Sequence, residues 1–320
     1  MKLESETSRE IVVETENEEN RESRAKREYS QKRVLITGAH SYVGTSVEQW
    51  LARWPERYGV DTLDMHSDTW RKHDFLKYDV IFHVAGIAHA DVGHVSDAGQ
   101  KLYYRVNTDL AVETAQKAKS AGVQQFIFMS SMIIYSGCKE NKITKDTKPQ
   151  PLNFYGDSKW QADQKIRELA DDNFKVVILR PPMIYGRGSK GNYSQLVKLA
   201  TKLPVFPIVK NQRSMLYIEN LAQFVKLMID NEESGVFFPQ NGEYTNTSEM
   251  VRLIAEAKKH RIVMIPGMNW LVKLMMRIPG KIGTLTVKAF GDSMYDMRMS
   301  DYRVDYRKYG LEASIKRIEK

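Results

Sequence analysis

"KRVLITGAHSYVG", residues 32–44, decides the reading of the fold. Its opening "KRVLIT" is a short apolar run of the kind a strand needs when both faces of a parallel sheet are covered. Gly38 permits a tight exit from that strand, and Gly44 lets the following segment pack closely on the sheet. That segment, "SYVGTSVEQWLARW", places Val43, Val47, Trp50 and Leu51 at helical spacing. A strand, a turn and a helix in this order aim the free N–H groups of the helix start, at Tyr42 and Val43, towards the turn. Such a turn holds a pyrophosphate. Ser41 stands where the middle glycine of the turn usually falls; it is small enough for close approach but restricts the backbone more. Asp64, 20 residues after Gly44, ends the next strand and can accept hydrogen bonds from an adenosine ribose. Its charge would repel a 2′-phosphate, which favours NAD over NADP.

Outward from this turn, strand and helix patterns alternate. Strands are expected near 58–64, 78–86, 124–131 and 174–180, and helices over 101–121 and 155–170. The alternation predicts an α/β fold with a doubly wound parallel sheet over 31–180. Beyond Pro181 and Pro182 the pattern breaks into helices near 193–202, 218–230 and 247–258 among short strands. This predicts a smaller C-terminal α/β lobe, 181–320, for the substrate, with about 205–235 packing back on the first domain. "NWLVKLMMRIPGKIG", 269–283, carries an apolar face beside Lys273, Arg277 and Lys281. It reads as a partly buried helix or a lid over a pocket rather than a membrane-surface helix.

Composition narrows the class. An apolar share of 42% is enough for a sizeable core, and the single cysteine, Cys138, allows no internal disulfide. With no signal-like or membrane-spanning apolar run, the expectation is a cytoplasmic protein without membrane association. Residues 1–30 hold nine Glu and six Lys/Arg, so a net charge of +8 leaves about +11 on the remainder. The charged opening cannot bury enough surface to offset its ordering entropy and reads as a disordered tail. No basic block with interleaved aromatics appears, so the positive charge is assigned to a solvated surface with some phosphate contacts and not to nucleic acid.

"ITGAHSYVG", "FHVAG", "SSMIIY", "YGDSK" and "LRPPMIYG", in this order, resemble the extended short-chain dehydrogenases/reductases. Within them the chain is similar to the NAD-dependent sugar-nucleotide epimerases and dehydratases, over roughly 32–260. The resemblance implies a Rossmann-type sheet, an NAD cofactor, a nucleotide-sugar substrate and a homodimer; it calls for no metal. It implies that Ala85 and Gly86 line the cofactor ribose, that Asn107 and Pro182 lie at the cofactor, and that Ser131, Met132 and Asn192 meet the substrate. Arg213, in "RSMLYIENL", matches an arginine that typically meets the substrate diphosphate. The stretch between Asp64 and Ala85 is short for the family, so the third strand should be reduced or lost, leaving Asp68 and Thr69 as adenine contacts. The family's C-terminal Arg-x-Gly-Asp is absent, with "FGDSMYD" the nearest trace.

Two Tyr-x-x-x-Lys pairs compete, Tyr135–Lys139 and Tyr155–Lys159. In "PQPLNFYGDSKWQAD" Tyr155 falls at a helix start, with Lys159 one turn later on the same face. There the ammonium is expected to depress the phenol pKa towards neutrality and to bind the nicotinamide ribose. Ser131 can share the proton of the reacting hydroxyl, and Tyr135 reads as structural or pocket-lining. A dehydratase of this family carries Asp-Glu immediately after the serine or threonine. Met132 and Ile133 stand there and cannot transfer protons. Three readings remain: a UDP-sugar 4-epimerase feeding polysaccharide synthesis, a reductase or dehydrogenase of a sugar nucleotide, and a non-catalytic dinucleotide-binding protein.

Overall fold

The computed structural model describes residues 31–88 and 95–320; the segment 1–30, read as a disordered tail, lies outside the described residues. Lys32–Thr37 (β1) pairs in parallel with Tyr58–Leu63 (β2) on one side and Val80–His83 (β3) on the other. Gln125–Met129 (β4), Lys175–Leu179 (β5) and Gly235–Phe237 (β6) extend the sheet beyond β3, all in parallel. The order is β6-β5-β4-β3-β1-β2, with the direction of winding reversing beside β1. β2 is an edge because the chain between it and β3 makes only a short 3₁₀ turn, Asp68–Lys72, with Trp70 buried. The third strand is therefore lost, as the short spacing implied.

The apolar runs are continuous because both faces of the sheet are covered. Val34, Ile36, Phe82, Ile127 and Val177 enter one core; Leu35, Ile81, Phe126, Val176 and Ile178 enter the other. Tyr42–Leu51 (α1) lies on the first face, whereas Asp97–Tyr104 (α2), Leu110–Ser120 (α3) and Phe154–Arg167 (α4) belong to the second side. Alanines 111, 115, 118 and 162, all fully buried, let α3 and α4 approach the strands closely. The single helix expected over 101–121 is α2 and α3 joined by a π turn, Arg105–Asp109. The widened turn brings Asn107 and Thr108 onto α4, where they donate to the Ser158 hydroxyl (3.2 Å) and carbonyl (2.7 Å).

The C-terminal half contributes Asn192–Lys202 (α5), Ile218–Asp230 (α6), Thr247–Ala257 (α7), Asn269–Met276 (α8), Lys281–Phe290 (α9) and Leu311–Glu319 (α10). α6 returns to the sheet: Gln223 accepts from the Trp50 indole at 3.1 Å, and Gln125 of β4 donates to the Met228 carbonyl at 2.9 Å. β6 follows directly and adds the last strand. Short strands knit the rest together, Met183–Tyr185 with Met215–Tyr217 and Lys142–Ile143 with Met294–Tyr295. The segment 269–283 is not one helix. Pro279 and Gly280, the latter at φ +89°, end α8 and start α9. Among the described residues no helix is long and apolar enough to cross a membrane.

Candidate active site

In an open parallel sheet the ligand crevice lies outside the carboxyl ends of the strands, where the winding reverses. The large cleft is there, about 1060 Å³, lined by Ser41 and Tyr42 after β1, Gly86 after β3, Ser131 after β4 and Pro182 after β5. A depression of about 230 Å³ at the opposite strand ends is lined by Lys32, Lys175 and Glu232. Those three are paired to one another at 2.7 and 2.9 Å, so it offers a satisfied polar surface.

The turn after β1 is shaped by close approach. Gly38 has φ +103°, and a Cβ there would stand 2.8 Å from the Ala85 nitrogen. Ser41 caps α1, its hydroxyl accepting from the Gly44 N–H at 3.1 Å, and a Cβ on Gly44 would lie 2.6 Å from that same oxygen. The serine thus fills the middle glycine position by satisfying a helix-start donor. A Cβ on Gly86 would sit 3.0 Å from Asn107 Oδ1 and 3.1 Å from Lys159 Nζ. The buried hydroxyls of Tyr42 and Ser189 both line the cleft, and the Ser189 hydroxyl opposes the upward push of burial on the Tyr42 phenol. Small residues under the turn, a glycine beside a lysine, and two hydroxyls in the cleft fit a dinucleotide.

Other residues expected at the cofactor or substrate separate into two groups. Val43, Met132, Pro182 and Asn192 line the cleft. Asp64 does not; His66 engages its Oδ1 through the backbone (2.9 Å) and the ring (2.5 Å), and those bonds hold its carboxyl below the usual range. Asp68 pairs with Arg71, and Thr69 bonds Ser67 at 2.6 Å, so both are tied to the turn after β2. Asn107 has no exposed surface; its amide accepts from the Ile87 N–H (2.8 Å) and donates to the Ile87 carbonyl (3.1 Å), clamping the loop after β3. Arg213 is not among the residues lining the cleft. Its guanidinium donates to the Lys288 and Gly291 carbonyls at 2.7 and 3.2 Å, capping α9. The orphan carbonyls of a helix end thus hold the donor expected at the diphosphate.

Asn153 caps α4 by accepting from the Gly156 N–H at 3.0 Å, which sets Tyr155 in the first turn and Lys159 one turn on. Burial pushes the Tyr155 phenol up to about 12, against the opposing pull of the Ser131 hydroxyl bonded to it. Burial pushes Lys159 down to about 8, and its ammonium donates to the Met129 carbonyl at 3.0 Å. The expected depression of the phenol by the ammonium is corrected: Lys159 is committed to the end of β4, and desolvation governs Tyr155. Tyr155 is consequently a protonated acid near neutral pH.

The strand ends beneath these groups are held by a buried network. Arg180 donates to both Asp163 oxygens at 2.9 and 2.8 Å and to the Tyr135 hydroxyl at 2.7 Å, while Ser130 donates to Asp163 at 2.8 Å. Tyr135 thus lines the cleft as a structural partner, and Lys139 is exposed. His83, with no exposed surface, meets the Thr37 hydroxyl at 2.8 Å and is pushed down to about 3 by burial. It ties β1 to β3 as a neutral ring. Two cleft cations were passed over in the sequence, Arg187 and Lys190. "YGRGSKGN", 185–192, follows directly on "RPPMI", and its glycine spacing at a strand exit was the available signal.

Residues 32–268 match the family described as RmlD substrate binding domain. The chain belongs to that family. It is an extended short-chain dehydrogenase/reductase of the sugar-nucleotide epimerase/reductase branch, as its motifs implied. A UDP-glucose 4-epimerase of Vibrio cholerae is 30% identical over 276 residues, 78% of this chain and 83% of that protein. An N-acetyl-alpha-D-glucosaminyl-diphospho-ditrans,octacis-undecaprenol 4-epimerase of Escherichia coli O157:H7 is 27% identical over 289 residues, 80% and 85% of the two chains. Among solved structures, the dTDP-4-dehydrorhamnose reductase of Bacillus anthracis in complex with NADP superposes with a TM-score of 0.67 at 17% identity, covering 90% of this chain and 99% of that one. RmlD-family membership accounts for the Rossmann-type sheet, the phosphate turn and the Tyr-x-x-x-Lys helix in one frame.

Proposed function

We propose that the protein is an NAD-dependent 4-epimerase of a UDP-sugar, of the UDP-glucose/UDP-galactose type, acting through a transient 4-keto sugar. The observation that carries the reading is Ser131, Tyr155 and Lys159 converging on one cleft that also receives the phosphate turn. The Vibrio cholerae relative, a 4-epimerase matched over most of its length, supports epimerisation. Tyr42, Ser189 and the start of α1 would hold the pyrophosphate, Asp64 the adenosine ribose and Lys159 the nicotinamide ribose. When bound, NAD supplies a hydride acceptor that becomes the donor for the return step. Arg187 and Lys190 are the cations available to the substrate diphosphate.

The chain's own residues manage the proton. Removal of the C4 hydride and the hydroxyl proton gives the ketone; the Tyr155 oxygen, having first given its own phenol proton to solvent, accepts the hydroxyl proton, with Ser131 bonded alongside. When hydride returns to the opposite face of the ketone, the Tyr155 phenol gives the proton back to the new alkoxide. Met132 and Ile133 offer no group for removing water from C5 and C6, so the ketone goes only to an alcohol.

A second reading, reduction of a 4-keto sugar nucleotide, draws on the RmlD match and on the acidic, protonated state of Tyr155. A panel of UDP-, GDP- and dTDP-sugars assayed without added cofactor separates the two. Interconversion of UDP-galactose and UDP-glucose is expected. Stoichiometric consumption of NAD(P)H with a keto sugar, and no conversion without it, would establish the reductase instead.

A further inference from the structure

The hairpin of α8 and α9 exposes apolar side chains that a solvated surface would not carry. Trp270 is 67% exposed and Leu274 54%, with Ile278 beyond them, and Ile282 and Leu285 are each 55% exposed. Residues 270 and 274 share one stripe of α8 and 282 and 285 one of α9, with Ile278 in the bend between the two helices. Helices of a globular domain turn such stripes to the core; here Val272 is the buried apolar residue of α8. The nearby strand pair 205–207 and 263–265 adds the exposed Val205 and Val263. Charge on this part of the chain has a single sign. Between Glu256 and Asp292 the sequence holds seven Lys/Arg and no carboxylate, and Lys273, Arg277 and Lys288 are exposed.

The hairpin is nonetheless firmly seated. Lys210 donates its N–H to Asn269 at 2.9 Å, Thr247 donates to the Ala289 carbonyl at 2.7 Å, and Arg213 caps the end of α9. Asp292 and Ser293, directly after α9, line the cleft. An exposed tryptophan, aliphatic stripes and unbalanced positive charge on a fixed scaffold match one surface chemistry, an anionic headgroup layer over acyl chains. A second copy of this chain would bring the same positive charge against itself.

We propose that the α8–α9 hairpin docks the protein peripherally on membranes containing anionic lipid, with the stripes at the acyl boundary and the basic side chains among the headgroups. This replaces the expectation of a buried helix or lid and places the cleft rim next to the bilayer. The test is co-sedimentation of the full chain with phosphatidylcholine vesicles, with and without phosphatidylglycerol. Pelleting with phosphatidylglycerol is expected, weakening as salt is raised, together with a blue shift of emission that is absent in Trp270→Phe. Lys273→Gln, Arg277→Gln and Lys288→Gln should each weaken partition about fivefold. Leu274→Ser combined with Ile282→Ser should abolish it, with circular dichroism and thermal midpoint unchanged. The proposal is overturned by no pelleting with anionic vesicles, or by variants that pellet like the parent. It is equally overturned by a concentration-dependent dimer that the same variants dissociate without any vesicle binding, which would assign the hairpin to a second copy.

Discussion

Replacing Lys159 with Met should stabilise the cofactor-free protein while removing its activity. Lys159 is only 6% exposed, and burial holds its pKa at about 8 where an ordinary lysine has 10.5. Near pH 7 the ammonium is charged in both folded and unfolded chains, so the fold bears the whole desolvation cost. The interval from 10.5 to about 8 corresponds to about 3 kcal/mol. Methionine removes that cost, keeps most of the volume, and forfeits the bond to the Met129 carbonyl, about 1 kcal/mol. The net gain is about 2 kcal/mol, a rise in thermal midpoint of about 3 °C for a chain of this size. A lysine with a lowered folded pKa binds fewer protons folded than unfolded between the two pKa values. The cost is therefore complete below pH 8, and the advantage of the variant should shrink as pH rises from 8 to 10.5. Differential scanning calorimetry without cofactor, at pH 7 and again near pH 10, reads both. A Lys159→Met midpoint at or below the parent's at pH 7, or an advantage independent of pH, would refute the reasoning.

Tyr155→Phe should lower turnover about a thousandfold while leaving NAD bound, because only the proton carrier is lost; retained turnover would move the acid elsewhere. Asp163→Asn leaves Arg180 as a buried cation with half its partners and should cost about 3–5 kcal/mol in a denaturant titration; an unchanged midpoint would show the network to be dispensable. Asp64→Ser removes the charge at the end of β2 and should raise affinity for NADP relative to NAD in equilibrium titrations. An unaltered ratio would place the adenosine ribose elsewhere.

The sheet was legible because burial on both faces writes itself as unbroken apolar runs, as in "VLIT" and "FIFM". The phosphate turn was legible because Gly38 and Gly44 answer to local geometry. What escaped depends on three-dimensional competition. The π turn at Arg105–Asp109 arises from Asn107 and Thr108 reaching α4, which no helical period records. Arg213 sits in a family-like motif, yet the carbonyls ending α9 claim its guanidinium. The state of Tyr155 follows from burial and from the bond between Lys159 and Met129, neither visible in a Tyr-x-x-x-Lys spacing. Read as one stretch, 269–283 hid a Pro-Gly break and an outward-facing pair of stripes.

The central claim is that hydride leaves and returns within one cleft while Tyr155 carries the proton. UDP-galactose bearing deuterium at C4, incubated with the purified protein and no added cofactor, tests this directly. UDP-glucose with the deuterium still at C4 is expected. Absence of conversion, or, in a parallel incubation with added NAD, deuterium recovered in released NADH, would contradict it.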